Sequence, residues 1–247
     1  MKIYTTINPY SNFEVQSQSI KTWSNHYQVY SVNLKEEVEK IKDLYPDVIF
    51  IETDNIFNYN GKKLIKMNAI LEIVDKSDIA AIVNSDISLN ESIFIDVDNR
   101  YLKNGIVIGT RYEIDNGKIY PFIYGYDIFI FDPKNITIFS NDNYVIGMPW
   151  WDYWVPLAFI KKGMNVYHMK NQIIYHETHE TNYDMNIWLE FSKYFYNDIV
   201  RDILNYNNEM ILEEFIMGDK GEQMDIKKYI ESKQINIDCL VKQIDSI

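Results

Sequence analysis

The sequence predicts an α/β domain followed by a helical tail, and three observations predict it. Strand-like and helix-like runs alternate through the first half of the chain, an all-apolar run at residues 79–83 marks a central strand covered on both faces, and turn residues then punctuate several short strands. Residues 2–7 read as the first strand, 14–23 as a helix and 27–32 as the second strand. Residues 34–44 follow a helical pattern, because Val38, Ile41 and Leu44 recur three apart on one face, and 48–51 read as a short buried strand. Residues 63–75 read as the next helix, with Leu64, Met67, Ile70, Leu71 and Val74 as its apolar face. Strand and helix alternating in this order imply parallel pairing through right-handed crossovers.

Beyond residue 90 the texture changes. Residues 93–96, 106–112 and 126–131 read as strands, joined by turns that contain Asn104-Gly105, Asp115-Asn116-Gly117 and Asp132-Pro133. Residues 151–162 read as a helix that stops at Gly163, and 166–169 and 172–175 return as strand. From about residue 184 the pattern is mostly helical, with Gly218 and Gly221 marking a break. The expected organisation is one domain over residues 1–183 and a helical extension over 184–247. The acidic, lysine-rich part of that extension reads first as a solvated surface and second as a contact between copies in a homo-oligomer.

Composition narrows the function classes. Twenty-four Lys and Arg against thirty-six Asp and Glu give a net charge of −12, which repels a nucleic-acid backbone or an anionic membrane surface. No apolar stretch is long enough to span a membrane, and the first residues go straight into strand pattern, so no membrane span is expected. The single cysteine, Cys239, can form no internal disulfide and no zinc spacing, and points to a reducing, cytoplasmic setting. Aromatic residues reach 15%. Sugar-binding clefts use such rings for stacking, and an Ile-, Asn- and Tyr-rich composition accounts for them equally well.

The most informative stretch is Gly61-Lys62-Lys63-Leu64-Ile65-Lys66-Met67-Asn68, followed by Asn84-Ser85-Asp86 at the end of the 79–83 strand. In open α/β sheets ligands bind outside the carboxyl ends of the strands, where this triplet falls. A carboxylate there can hold a divalent ion that bridges two phosphates, with Lys62, Lys63 and Lys66 on the preceding helix facing a diphosphate. Downstream, Gly125-Tyr126-Asp127 opens a strand, Gly147-Met148-Pro149-Trp150-Trp151-Asp152 opens a helix, and Tyr175-His176-Glu177-Thr178-His179 follows another strand.

These segments, in this order, resemble the nucleotide-sugar glycosyltransferases of the GT-A fold, most closely the family 2-like group. The resemblance implies a Rossmann-like mixed sheet and transfer of a sugar from a nucleotide donor, a UDP-sugar first, to a glycan or other hydroxyl acceptor. It implies donor contacts from Thr6, Asn8, Asn33, Glu52, Lys66, Asn68, Asn84, Ser85 and Asp86. It places Asp127, Trp150 and Trp151 beside the acceptor, with Asp152 as the base of a direct displacement. It also implies a divalent cofactor, Mn²⁺ or Mg²⁺, on Asp86 with His176 or His179. Two departures stand out: Asn84 occupies the first acidic position of the triplet, and Trp150 stands where the family has a second glycine. Asn84 motivates the alternative of an inactive GT-A-like domain that binds a glycan or a protein.

Overall fold

The structure, a computed structural model, describes residues 1–90, 97–122, 125–139, 143–169, 173–179, 185–195, 197–198 and 241–244. The first half builds β1 (Lys2–Thr5), α1 (Phe13–Ser24), β2 (Gln28–Asn33), α2 (Lys35–Ile41) and β3 (Val48–Glu52). A hairpin of β4 (Ile56–Tyr59) and β5 (Lys62–Ile65) precedes α3 (Met67–Ile73), β6 (Ala80–Val83) and β7 (Ile87–Leu89). Then come α4 (Asn99–Leu102), β8 (Gly105–Gly109), β9 (Tyr112–Asp115), β10 (Lys118–Pro121) and β11 (Ile128–Phe131). The chain continues through α5 (Trp151–Lys161), β12 (Asn165–Met169), β13 (Ile174–Glu177), α6 (Met185–Phe195) and β14 (Val241–Ile244).

The main sheet runs β14-β12-β8-β11-β6-β1-β2-β3, and every described pairing in it is parallel except the two made by β11. Its central strands bury both faces, which is why they read as unbroken apolar runs. Ile82, Ile106, Ile108, Phe129 and Phe131 enter one core cluster together with residues of α3, α5 and α6. Their neighbours Ala81, Val83, Val107, Ile128 and Ile130 enter a second cluster with Ile20 and Trp23 of α1, as a two-residue period requires. A smaller sheet, β10-β9-β13-β7, stands beside the main one. The fold is thus the expected mixed α/β class.

Three local expectations need correction. Residues 63–75 do not form one helix: Lys62 and Lys63 belong to β5, and the helix starts at Met67. Asn60 and Gly61 have φ of 48° and 81°, the left-handed pair of a two-residue hairpin turn, and Leu64 and Ile65 pair with Phe57 and Ile56. The run read as one strand over 106–112 breaks after Gly109, where the chain leaves the main sheet, and resumes as β9 in the small one. Past 184, α6 is helical as expected and buries Ile187, Phe191 and Phe195 in the main core, whereas Val241–Ile244 is a strand paired with β12. The expected strand over 93–96, the glycine break at 218–221 and Cys239 lie outside the described residues.

Candidate active site

A cleft of about 1350 Å³ opens at the carboxyl ends of β1 and β6. Thr6, Asn8, Asn84, Ser85, Asp86, Asp127, Trp150, Trp151, Asp152, His176 and His179 all line it. Among the described lining residues Asn33, Glu52, Lys66 and Asn68 do not appear. Asn33 is fully buried, accepts from Ser31 Oγ at 2.6 Å, and donates to the Ile7 carbonyl at 2.8 Å and to Glu37 Oε2 at 3.1 Å. It therefore shapes the loop after β1 from behind. Glu52 ends β3, the outermost strand; Lys66 caps α3 and bridges to Val145 through its backbone; and Asn68 lies within α3. The lysines that do line the cleft, Lys62 and Lys63, reach it from the β4–β5 hairpin, where Lys63 pairs with Glu36 at 2.8 Å.

One wall of the cleft is a loop held by neutral hydrogen bonds. Gln16, on the buried face of α1, accepts from the Asn8 amide at 2.7 Å and donates to the carbonyls of Asn8 and Ser11 at 3.0 and 2.8 Å. Its Oε1 also receives Ser85 Oγ at 2.8 Å, so one carboxamide ties the β1 loop to the triplet. Ser31 Oγ accepts from the Ile7 amide at 3.1 Å. Thr6 Oγ1 is buried on the cleft wall and meets no partner among the described residues. Tyr10, 64% exposed, stands at the mouth with the Lys40 ammonium 4.5 Å from its ring centre.

The opposite wall is a chain of charges. Asp86 follows β6, and its Oδ2 lies 3.2 Å from His179 Nε2 and 3.5 Å from His176 Nε2, which are themselves 3.2 Å apart. Ligand atoms around one ion at about 2.1 Å sit about 3.0–3.4 Å from each other, so this triangle of one oxygen and two nitrogens fits a divalent ion as it stands. Glu113 Oε2 sits 2.8 Å from His176 Nδ1, the orienting contact that imidazole ligands use. Burial pushes the Asp86 carboxyl up, but hydrogen bonds from His176 and His179 outweigh it and hold the group well below the usual carboxylate range. Burial opposes charge on His176, yet Asp86 and Glu113 together raise it to about 9. Burial likewise works against Glu113, which His176 and Arg111 keep below its ordinary value.

Arg111 extends the chain inward. Its Nε donates to Glu113 Oε1 at 2.6 Å and its Nη1 to Asp127 Oδ1 at 2.7 Å, with the Phe122 ring centre 3.9 Å from the guanidinium carbon. Asp127 is 2% exposed, and its Oδ2 has no partner among the described residues. Asp152 occupies the second position of α5, where helix amides favour a carboxylate. Burial first, and the neighbouring Asp127 charge second, nonetheless push it up to about 7, against the backbone amides of Tyr153 and Asp152 itself. Gly125, at φ +81°, lies so close that a Cβ there would fall on Asp152 Oδ2.

The tryptophans are largely buried where they meet the cleft. Trp150, Trp151 and Trp154 are 5%, 2% and 1% exposed, and they pack on Trp188 and Phe195, on Phe129, and on Tyr144 and Phe139 respectively. Trp150 and Trp151 border the cleft, but their rings are chiefly core. Trp150 has φ 76°, the left-handed conformation that explains a glycine at this point in the family pattern. Its indole N–H donates to the Trp188 carbonyl at 3.0 Å, fastening the strained residue to α6.

Sequence reasoning passed over Gln16, Arg111 and Glu113. Gln16 shares one helix face with Ser19, Ile20 and Trp23, and a polar residue at a core position is the signal that could have found it. Arg111 follows the fully buried strand β8, where an isolated cation is conspicuous.

No protein-family model matches the chain, and no curated protein matches it. Among solved structures it is similar to residues 1–349 of S. aureus TarS in complex with UDP-GlcNAc, at TM-score 0.52 and 11% identity, over 93% of this chain and 72% of that one. The architecture is accordingly a GT-A-like, glycosyltransferase-type α/β fold. No described helix is long and apolar enough to cross a membrane.

Proposed function

We propose that the protein is a metal-dependent glycosyltransferase that moves a sugar from a nucleotide-diphosphate donor, a UDP-sugar first, to a hydroxyl of a glycan-type acceptor. The observation that carries this reading is the Asp86–His176–His179 triangle at the end of the central strand, in one cleft with a carboxyl poised near neutral pH. TarS, a glycosyltransferase with UDP-GlcNAc in its structure, supports the donor class through fold alone. Asp86, His176 and His179 would hold Mn²⁺ or Mg²⁺. Bound there, the ion supplies positive charge to a leaving diphosphate.

The residues themselves divide the work. The loop holding Thr6, Asn8 and Tyr10 receives the nucleoside, the Tyr10 ring offering a stacking face and Thr6 Oγ1 an unused polar group. Lys62 and Lys63 reach over the diphosphate from their hairpin. Asp152 takes the proton from the acceptor hydroxyl as that oxygen bonds to the anomeric carbon. The bond from that carbon to the phosphate oxygen breaks, and the nucleoside diphosphate leaves with its electron pair. Asp127 Oδ2, buried and unpaired among the described residues, accepts a sugar hydroxyl.

Incubation with a panel of UDP- and GDP-sugars and Mn²⁺, read by donor hydrolysis and thermal shift, tests the reading. It predicts a metal-dependent response to at least one donor, and silence across the panel would sink it. Asn84, an uncharged residue in an acidic position, favours a second reading as a domain that binds saccharide without turnover. Saccharide binding in the absence of any nucleotide binding would select that alternative.

A further inference from the structure

The candidate site is split between two sheets. Asp86 follows β6 of the main sheet and Asp127 leads into β11, whereas His176 lies on β13 and Glu113 on β9 of the small sheet. Arg111 sits in the two-residue link between β8 and β9, where the chain crosses from one sheet to the other. Its guanidinium grips one carboxylate on each side, Asp127 at 2.7 Å and Glu113 at 2.6 Å. Those carboxylates are 2% and 5% exposed, so neither charge is left to solvent. Glu113 passes the constraint to His176 Nδ1 at 2.8 Å. The main-chain groups of the same region are tied as well: the Asp127 amide donates to the Gly109 carbonyl at 2.9 Å, and the Phe122 amide to the Arg111 carbonyl at 3.0 Å.

From this placement we propose that Arg111 is a positioning residue, a two-pronged clamp that fixes the distance between the imidazole ligand on the small sheet and the acceptor-side carboxylates on the main sheet. The inference rests on the function proposed above, because it assigns those two sets of groups their roles. The planar fork matters more than the charge. A guanidinium holds two carboxylates at fixed angles, whereas a lysine ammonium is a point charge that satisfies one of them well. The Phe122 ring stacks on the fork, its centre 3.9 Å from the guanidinium carbon, and adds a further contact that holds the fork in place.

The test uses the full chain and reads Mn²⁺ binding directly, by electron paramagnetic resonance of the free ion, beside turnover and melting temperature. Arg111→Met is expected to weaken Mn²⁺ binding by about 10–100-fold, the usual effect of disturbing a group that orients a metal ligand, and to lower kcat in parallel. Arg111→Lys is expected to recover most of the melting temperature yet leave Mn²⁺ binding at least about tenfold weak. Should Arg111→Met fold poorly, the double change Arg111→Met, Asp127→Asn relieves the buried Asp127 charge, keeps Glu113 on His176, and carries the binding measurement instead. Native Mn²⁺ affinity in that variant or in Arg111→Met, or full recovery of affinity by lysine, overturns the clamp alone. A native chain that binds nucleotide sugar but takes up no Mn²⁺ overturns the metal assignment and the clamp together.

Discussion

The two walls of the cleft are held by opposite means. On one side, a loop is shaped by neutral hydrogen bonds between Gln16, Ser31 and Asn33 and backbone groups. On the other side, a line of ionisable groups runs from Asp86 through two histidines, Glu113 and Arg111 to Asp127, with Asp152 beside it. Neutral bonds to backbone each contribute about 1 kcal/mol and define shape. Buried charges are worth little as stabilisers and a great deal as electrostatic machinery, because one removed partner leaves another uncompensated. The first wall should govern which donor binds, and the second how fast it reacts.

That contrast can be broken at several points. The largest effect is expected at Asp86→Ala, which removes the only carboxylate of the three-residue group: turnover should fall about a thousandfold, and thermal stabilisation by Mn²⁺ should disappear. Asp152→Asn should lower kcat by about 10²–10⁴-fold while donor binding, followed by calorimetry, stays near native. The native chain should show a matching pH profile. A base must be ionised to work, so kcat should rise with pH through about 7 and be lost below it. The sign for stability is opposite: the raised carboxyl favours the fold fully below its unfolded value of about 4, and that contribution is lost as pH rises through about 7.

Smaller effects test the framework. Gly125→Ala must place a side chain in a left-handed conformation and onto Asp152, so it should destabilise by about 1–2 kcal/mol and depress kcat more than donor affinity. Gln16→Ala should cost about 1–3 kcal/mol in a denaturant titration, since it orphans buried backbone groups, and should raise the donor KM with little change in kcat. Equal loss of kcat in Gln16→Ala and Asp152→Asn would erase the distinction between the walls.

Much of the parallel half of the fold was legible, because the runs around Ile3 and Ile82 are buried on both faces and carry the pattern of central strands, and the runs at Val29 and Val48 alternate with helical patterns beside them. The hairpin of β4 and β5 was not read, although Asn60-Gly61 between two apolar pairs is its signature. The helical spacing of Leu64, Met67 and Leu71 is equally good, and there the local turn wins over the period. Of the site, Asp86, His176 and His179 come together as the motif order implied. Arg111 and Glu113 escaped because their importance lies in partners two to 63 residues away, a relation that no single stretch displays.

Trp150 ties the second wall to the end of the described helical region. Its left-handed backbone turns the chain into α5 and so aims Asp152, and it is kept there by ring packing on Trp188 and Phe195 of α6. Holding a non-glycine residue in that conformation costs about 1–2 kcal/mol, which the indole contacts must outweigh. The first helix beyond residue 184 is thereby a spring seat for the Asp152 carboxyl group. Loosening that seat would shift the Asp152 carboxyl together with the cleft wall that Trp150 and Trp188 form.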